Sequence, residues 1–248
     1  MKASELKTAL ITGASSGIGW ATAQVLASRG WTVYALARRE DRLEKLKQEF
    51  PKNIVPLGLD LRKELSRLSE CVDLKSIGVL INNAGLARGT AAIDKTSKED
   101  WLEMYETNVL SLIEITQMLL PSMIERKAGD IVNIGSVAGY QTYPGGSIYA
   151  STKFCVRALT ESWRKDLLGK GIRVIGIHPG MVETEFSKVR FRGDEEKAAA
   201  VYKGMRPLTA QDVARSMAWS LELPRHINIE SMLLMPTDQA AAGMVARS

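Results

Sequence analysis

Hydrophobic positions along the 248-residue chain follow two alternating patterns. Short, nearly continuous apolar runs occupy 8–11, Thr32–Ala37, 54–59, 79–81, 131–134, 172–177 and 229–235. Such runs read as strands buried on both faces. Between them the apolar positions recur every three to four residues, which reads as helix. The segment 17–29 places Ile18, Ala21, Val25 and Leu26 on one face. The charged segment 40–50 turns Leu43 and Leu46 inward, and Pro51 follows its end. Further helices are predicted over 62–70, over 98–126 with Pro121 permitting a kink, over 147–168 with Gly169 near its end, and over 209–221 with Thr209 as N-cap. Strands that alternate with helices predict β-α-β units, hence a mostly parallel, doubly wound sheet of seven strands with helices on both faces. No repeat and no Pro/Gly/Ser-rich linker divides the chain, so a single domain over 1–248 is expected. The polar stretch 181–197 is long for a loop and predicts a lid over about 181–205.

Composition changes this picture little. Hydrophobic residues make up 45% and charged residues 25%, which excludes a disordered chain or a collagen. Cys71 and Cys155 form no disulfide framework, and His178 and His226 are the only histidines, so no metal site is expected. The N-terminal MKASELK carries no apolar core of a signal peptide. Together with the sparse cysteines this points to a reducing, cytoplasmic location. The uncharged run 131–152 contains Asn133, Gln141, Thr142, Pro144 and several glycines, so no membrane span is expected. The net charge of +5 is spread among acidic residues, most visibly over 38–52. That is the pattern of a solvated helix face rather than a nucleic-acid-binding patch.

The first candidate chemistry lies between the first strand and the first helix, in Thr12-Gly13-Ala14-Ser15-Ser16-Gly17-Ile18-Gly19. Gly13 permits a tight turn. Gly17 and Gly19 allow close backbone approach to a pyrophosphate at the helix N-terminus. The spacing is G-x-x-x-G-x-G, and its strand–turn–helix context is that of a dinucleotide site in a Rossmann-type fold. At the end of the second strand, where an acidic residue would select NAD, stand Arg38 and Arg39. Two guanidiniums suit a 2′-phosphate, so NADP(H) is the expected cofactor. A plainer role for both is to open the charged face of the next helix. Ser15 is placed to reach the same phosphate, and Asp60 after the third strand to accept from the adenine amine.

The second candidate is Tyr149 with Lys153, one turn apart on a predicted helix. Alone this spacing means little. Bringing a tyrosine pKa from about 10 to neutrality needs about 4 kcal/mol of preference for the anion. The Lys153 ammonium and an oxidised nicotinamide are expected to supply it, leaving Tyr149 to exchange a proton with a substrate oxygen. Ser136 follows the fifth strand at the carboxyl edge, where such sheets bind ligands. Asn108 interrupts an apolar helical run, and a buried asparagine requires hydrogen-bond partners. It is placed to hold a water on a proton path to Lys153.

Taken together, T-G-A-S-S-G-I-G, N-N-A-G, Asn108, Ser136, Y-A-S-T-K and Pro179-Gly180 resemble the short-chain dehydrogenase/reductase family, over residue 7 to about 235. The resemblance implies a catalytic set of Asn108, Ser136, Tyr149 and Lys153. It implies cofactor contacts at Gly13, Ser15, Ser16, Gly17, Ile18, Gly19, Asp60, Leu61, Asn83, Ala84, Tyr149 and Lys153. Beyond Pro179 and Gly180, it places Val182 on the carboxamide and Thr184 on the pyrophosphate. Gly78 stands where aspartate is common in the family, and the segment between Asp60 and Asn82 is shorter than usual. The segments G-S-V-A-G-Y-Q-T-Y-P-G-G-S-I-Y and V-E-T-E-F-S-K-V-R-F-R-G-D resemble the NADP-dependent 3-hydroxy acid dehydrogenase branch. That branch implies L-serine, L-allo-threonine or a related small substrate. Arg190 and Arg192 are then candidate partners of its carboxylate, and Gln141 and Tyr143 candidate pocket residues. The family also implies a homotetramer paired through its two long helices. The alternatives are a broad carbonyl reductase and a catalytically silent NADP-binding sensor.

Overall fold

The computed structural model describes residues 7–248; the reading of the N-terminal MKASELK concerns residues that lie, Lys7 apart, outside that range. The chain begins β1 (Thr8–Thr12), α1 (Gly17–Ser28), β2 (Thr32–Ala37), α2 (Glu40–Glu49), β3 (Ile54–Gly58). In place of the helix predicted over 62–70 there are two short pieces, a 3-10 turn Leu65–Arg67 and α3 (Leu68–Cys71). Leu61, Leu65, Leu68, Val72, Leu74 and Ile77 all pack against one core. Leu61, Leu65, Leu68 and Val72 keep a helical period but Leu74 and Ile77 fall off it, and the chain follows the core in short turns instead.

Next come β4 (Val79–Asn82), α4 (Lys98–Tyr105), a π-helical turn Glu106–Leu110, α5 (Ser111–Glu125), β5 (Gly129–Ile134), α6 (Ser147–Asp166) and β6 (Ile172–Pro179). The lid region holds β7 (Val182–Glu183), α7 (Phe186–Arg190), α8 (Glu195–Ala200) and β8 (Leu208–Thr209). The chain closes with α9 (Ala210–Glu222), β9 (Ser231–Leu234), β10 (Gln239–Ala241) and β11 (Met244–Val245). Thr209 caps α9 through a reciprocal bond with Asp212, as its position before an amphipathic run requires.

Seven strands pair in the order β3-β2-β1-β4-β5-β6-β9, and each pair is parallel. Successive residues of a strand point to opposite faces. In β1, Ala9 and Ile11 join one core with Leu26 of α1 and Met217 of α9, while Leu10 joins the other with Ile115 and Leu119 of α5. The run Lys98–Glu125 is long and apolar enough, by length and composition, to cross a membrane. Here it buries Met104, Asn108, Leu112, Ile115, Leu119 and Met123, with its inward face on the sheet. The direction of winding reverses between β1 and β4, so a crevice opens outside the carboxyl ends of the strands at that point.

Candidate active site

The crevice is a cleft of about 680 Å³ that runs from Arg38 and Arg39 at one end, past Asn83 and Tyr149, to the lid residues Phe186 and Arg190. Its first wall is the turn after β1. Gly13 has φ +68°, and a Cβ there would stand 2.9 Å from the Ala84 Cα. A Cβ on Gly19 would meet Asn83 Nδ2 at 2.4 Å and Gly13 O at 2.5 Å. These glycines therefore let the turn lie against the segment after β4. Thr12 ties the two together, since its Oγ1 accepts from Asn83 N at 3.0 Å and Ala84 N at 2.9 Å. Asn83 in turn donates its side-chain amide to the carbonyls of Thr12 and Gly13, at 2.9 and 3.3 Å. Gly17 and Ile18 open α1 and line the cleft, as do Ser15, Ser16, Asp60, Leu61, Pro179, Gly180, Val182 and Thr184.

Arg39 lies along this turn. Its Nε donates to Ser15 Oγ at 3.1 Å and its Nη1 to Glu185 at 2.8 Å. Arg42 stands 3.6 Å from the other oxygen of Glu185. Arg39 holds the Glu185 carboxyl below the usual carboxylate range. Arg38 is exposed at the cleft rim. Asp60 Oδ1 accepts from Arg62 N at 3.0 Å, so the carboxylate also shapes the turn that carries it.

Deeper in, Ser136 is buried and its Oγ accepts from Ala138 N at 3.1 Å. Tyr149 and Lys153 project from one face of α6, with Lys153 Nζ 5.9 Å from the Tyr149 ring centre. Lys153 is buried and its Nζ donates to Ile134 O at 2.8 Å. Burial lowers its pKa from 10.5 to about 8. Tyr149 is pushed the other way, up to about 12, by burial first; the Arg190 guanidinium and a hydrogen bond with Ser136 oppose that rise. A second cation also stands over the ring, Arg190, at 5.1 Å from its centre.

Asn108 sits in the π-turn. Its Nδ2 donates to Leu86 O at 2.9 Å and Thr152 Oγ1 at 3.0 Å, while its Oδ1 accepts from Leu86 N at 2.8 Å. A Cβ on Gly85 would stand 3.2 Å from Asn108 Oδ1 and 3.6 Å from Lys153 Nζ. The asparagine and lysine therefore flank the space beside Gly85. Among the described residues no group of three or more His, Cys, Asp or Glu side chains gathers as a metal cage would.

The geometry has its counterpart in known proteins. A family model described as short chain dehydrogenase matches residues 7–195. The chain belongs to the short-chain dehydrogenase family. Serine 3-dehydrogenase of Rhizobium radiobacter is 43% identical over 95% of this chain and 96% of its own. The NADP-dependent 3-hydroxy acid dehydrogenase YdfG of Salmonella typhi is 42% identical over 95% of this chain and 97% of its own. Among solved structures, a closed form of serine dehydrogenase complexed with NADP+ superposes with a TM-score of 0.92 and 39% identity, over 97% of this chain and 99% of that one.

Within this dehydrogenase the lid arginines part company. Arg190 enters the cleft, hydrogen-bonds the Tyr143 hydroxyl and leaves its Nε buried without a partner among the described residues. Arg192 follows α7 in a left-handed turn, φ +54°, and its exposed guanidinium pairs with Asp100 outside the cleft lining. Gln141 also faces outward, where its Oε1 accepts from Ala242 N at 3.0 Å. Sequence reasoning missed Glu185, Arg88, Phe186 and Tyr202, all of which line the cleft. Phe186 alone carried a usable signal, as an aromatic residue two positions after Thr184 in a polar stretch.

Proposed function

We propose that the protein is an NADP(H)-dependent dehydrogenase of small 3-hydroxy acids, with L-serine or L-allo-threonine as the type of substrate. The observation that carries this reading is Arg190: a guanidinium that lines the cleft 5.1 Å from the Tyr149 ring centre, held in place by the Tyr143 hydroxyl. A carboxylate beside the reacting alcohol would pair with the face of this guanidinium that is open to the cleft.

NADP(H) fits the other end of the cleft. The glycine turn leaves no room for a Cβ at Gly13 or Gly19, and its N–H groups open α1. Arg38 and Arg39 stand at the rim where a 2′-phosphate would lie. The relatives named for NADP support the same choice. When bound, the cofactor supplies the carbon that accepts or donates hydride.

The chain's own residues supply the rest. Ser136 Oγ and Tyr149 Oη converge on the substrate oxygen. Tyr149 takes the hydroxyl proton in oxidation and returns it in reduction. A neutral phenol of high pKa is the acid for reduction, and the Arg190 guanidinium favours the phenolate needed for oxidation. Lys153 holds its ammonium below the tyrosine, and Asn108 fixes the backbone at Leu86 beside it. The phenyl rings of Phe186 and Phe191 in the same lining favour a second reading, a reductase of neutral ketones and aldehydes.

Initial rates with L-serine and with a neutral secondary alcohol, each with NADP and NAD, separate the two. Preference for L-serine with NADP is expected. Arg190→Met should then raise KM for L-serine by at least about tenfold, the value of one lost charge-assisted contact, and leave KM for the neutral alcohol within about twofold, while the pH dependence of kcat shifts for both. Preference for the neutral alcohol would overturn the acid reading.

A further inference from the structure

Arg88 lies in the loop between β4 and α4, across the cleft from the lid. Its Nε and Nη2 donate to the two carboxylate oxygens of Glu103, on α4, at 2.6 and 2.8 Å. This fork-on-carboxylate pairing fixes the guanidinium plane. The remaining Nη1 donates to Val189 O at 2.9 Å, and the N–H of the next residue, Gly89, donates to Arg190 O at 2.8 Å. The last carbonyls of a helix have no partners within it. Here those at the end of α7 are met from the opposite wall. Arg192 adds its pair with Asp100 of α4 just beyond. Arg190 sends its side chain back over Tyr149 from this same stitched turn.

We infer that Arg88, held by Glu103, is a positioning residue that pins the end of the lid helix and sets Arg190 over Tyr149, and so governs the affinity for substrates that carry a carboxylate. The inference rests on the reading of Arg190 given above. Arg88 acts through Arg190 rather than on the reacting atoms: its hydrogen bonds to Glu103 and Val189 take three of its five guanidinium N–H groups and hold it at the end of the lid helix.

The test compares Arg88→Met, Arg88→Lys and Glu103→Gln with the full-length wild type. KM and kcat are read for L-serine and a neutral alcohol, with the Kd of NADP and the pH dependence of kcat. Arg88→Met is expected to raise KM for L-serine about tenfold while KM for the neutral alcohol and Kd for NADP stay within about twofold. Arg88→Lys keeps one donor for the Val189 carbonyl and should recover part of the loss. Glu103→Gln should move KM in the same direction by less.

Tyr149 is faced by Arg190 from α7, Lys153 from its own helix, Tyr143 and Ser136 from the segment before α6, and Tyr202 from the lid. Displacing Arg190 alone removes a cation that lowers the phenol's pKa, so the rise of kcat with pH should move to higher pH. An unchanged KM and pH profile in Arg88→Met would overturn the inference. Equal losses for acid, alcohol and cofactor would overturn it too, because they mark a lid loosened as a whole. If the wild type shows no preference for the acid, the carboxylate reading fails instead, and the pH profile alone still decides whether Arg88 places Arg190. If Arg88→Met does not fold, Glu103→Gln carries the same readouts.

Discussion

The cofactor-free protein should become more stable when Lys153 is replaced by Met, although that variant is expected to lose activity. Lys153 is 5% exposed and its pKa falls to about 8 through burial alone. In the unfolded chain the ammonium titrates near 10.5. Near pH 7 both states carry the charge and the folded state bears the whole desolvation cost. At roughly 1.4 kcal/mol per pKa unit this is about 3 kcal/mol. Methionine keeps the length of the side chain and removes the charge, but strands the Ile134 carbonyl that Nζ now serves. That loss costs about 1–3 kcal/mol. The balance is a gain of up to about 2 kcal/mol, or up to roughly 4–8 °C in Tm for a chain of this size.

The sign with pH follows from the depressed pKa. Wild-type stability is restored as pH climbs from about 8 to 10.5, and the variant has no such recovery. Thermal unfolding at intervals from pH 6.5 to 11 (roughly spanning both pKa values) should show a Tm advantage for the variant near neutrality. The advantage should shrink through pH 8–10.5 and vanish or reverse above it. A difference that stays constant across that window would refute the claim that burial, rather than lost packing, sets the effect.

Two further outcomes concern the chemistry directly. Arg38→Ala combined with Arg39→Ala should weaken NADP by on the order of tenfold or more and NAD by no more than about threefold, as equilibrium titration would read it; equal losses for both cofactors would remove the 2′-phosphate assignment. Tyr149→Phe should lower turnover by about 100- to 10,000-fold while Kd for NADP holds within a few-fold, and surviving turnover would remove Tyr149 from the proton transfer.

Much of the architecture was legible because a parallel sheet buried on both faces writes its strands as continuous apolar runs. The runs around Leu10, Ile81, Val132 and Ile175 needed no knowledge of their partners. The helix expected over 62–70 fails because Leu61, Leu65, Leu68 and Val72 keep a helical spacing, yet Leu74 and Ile77 fall off it while packing on the same core. The spacing of Tyr149 and Lys153 put them on one helix face, and Ser136, Asn108 and the neighbouring motifs joined them into a site. The pKa directions of Tyr149 and Lys153 could not be read that way, because burial is a property of the assembled cleft. Likewise nothing local separates Arg190 from Arg192; a left-handed turn and the distant Asp100 do that. Arg88 with Glu103, and Glu185 with Arg39, are pairs between segments far apart in sequence, so no periodicity announces them.

The π-helical turn Glu106–Leu110 bears on how this segment can vary. Each residue advances a helix by about 100°, and a π-turn holds one residue more than the α-helical turn it replaces. Deleting a residue there would wind the run into plain α-helix and rotate one side of it against the other. Either Asn108 would leave Leu86 and Thr152, or Ile115, Leu119 and Met123 would swing out of the core. Substitutions along 98–125 can be absorbed one side chain at a time, whereas a change in the number of residues cannot. Length polymorphism should therefore be concentrated elsewhere, in the exposed turns around Gly169 and Gly193, where a Cβ on either glycine would meet nothing within 4 Å.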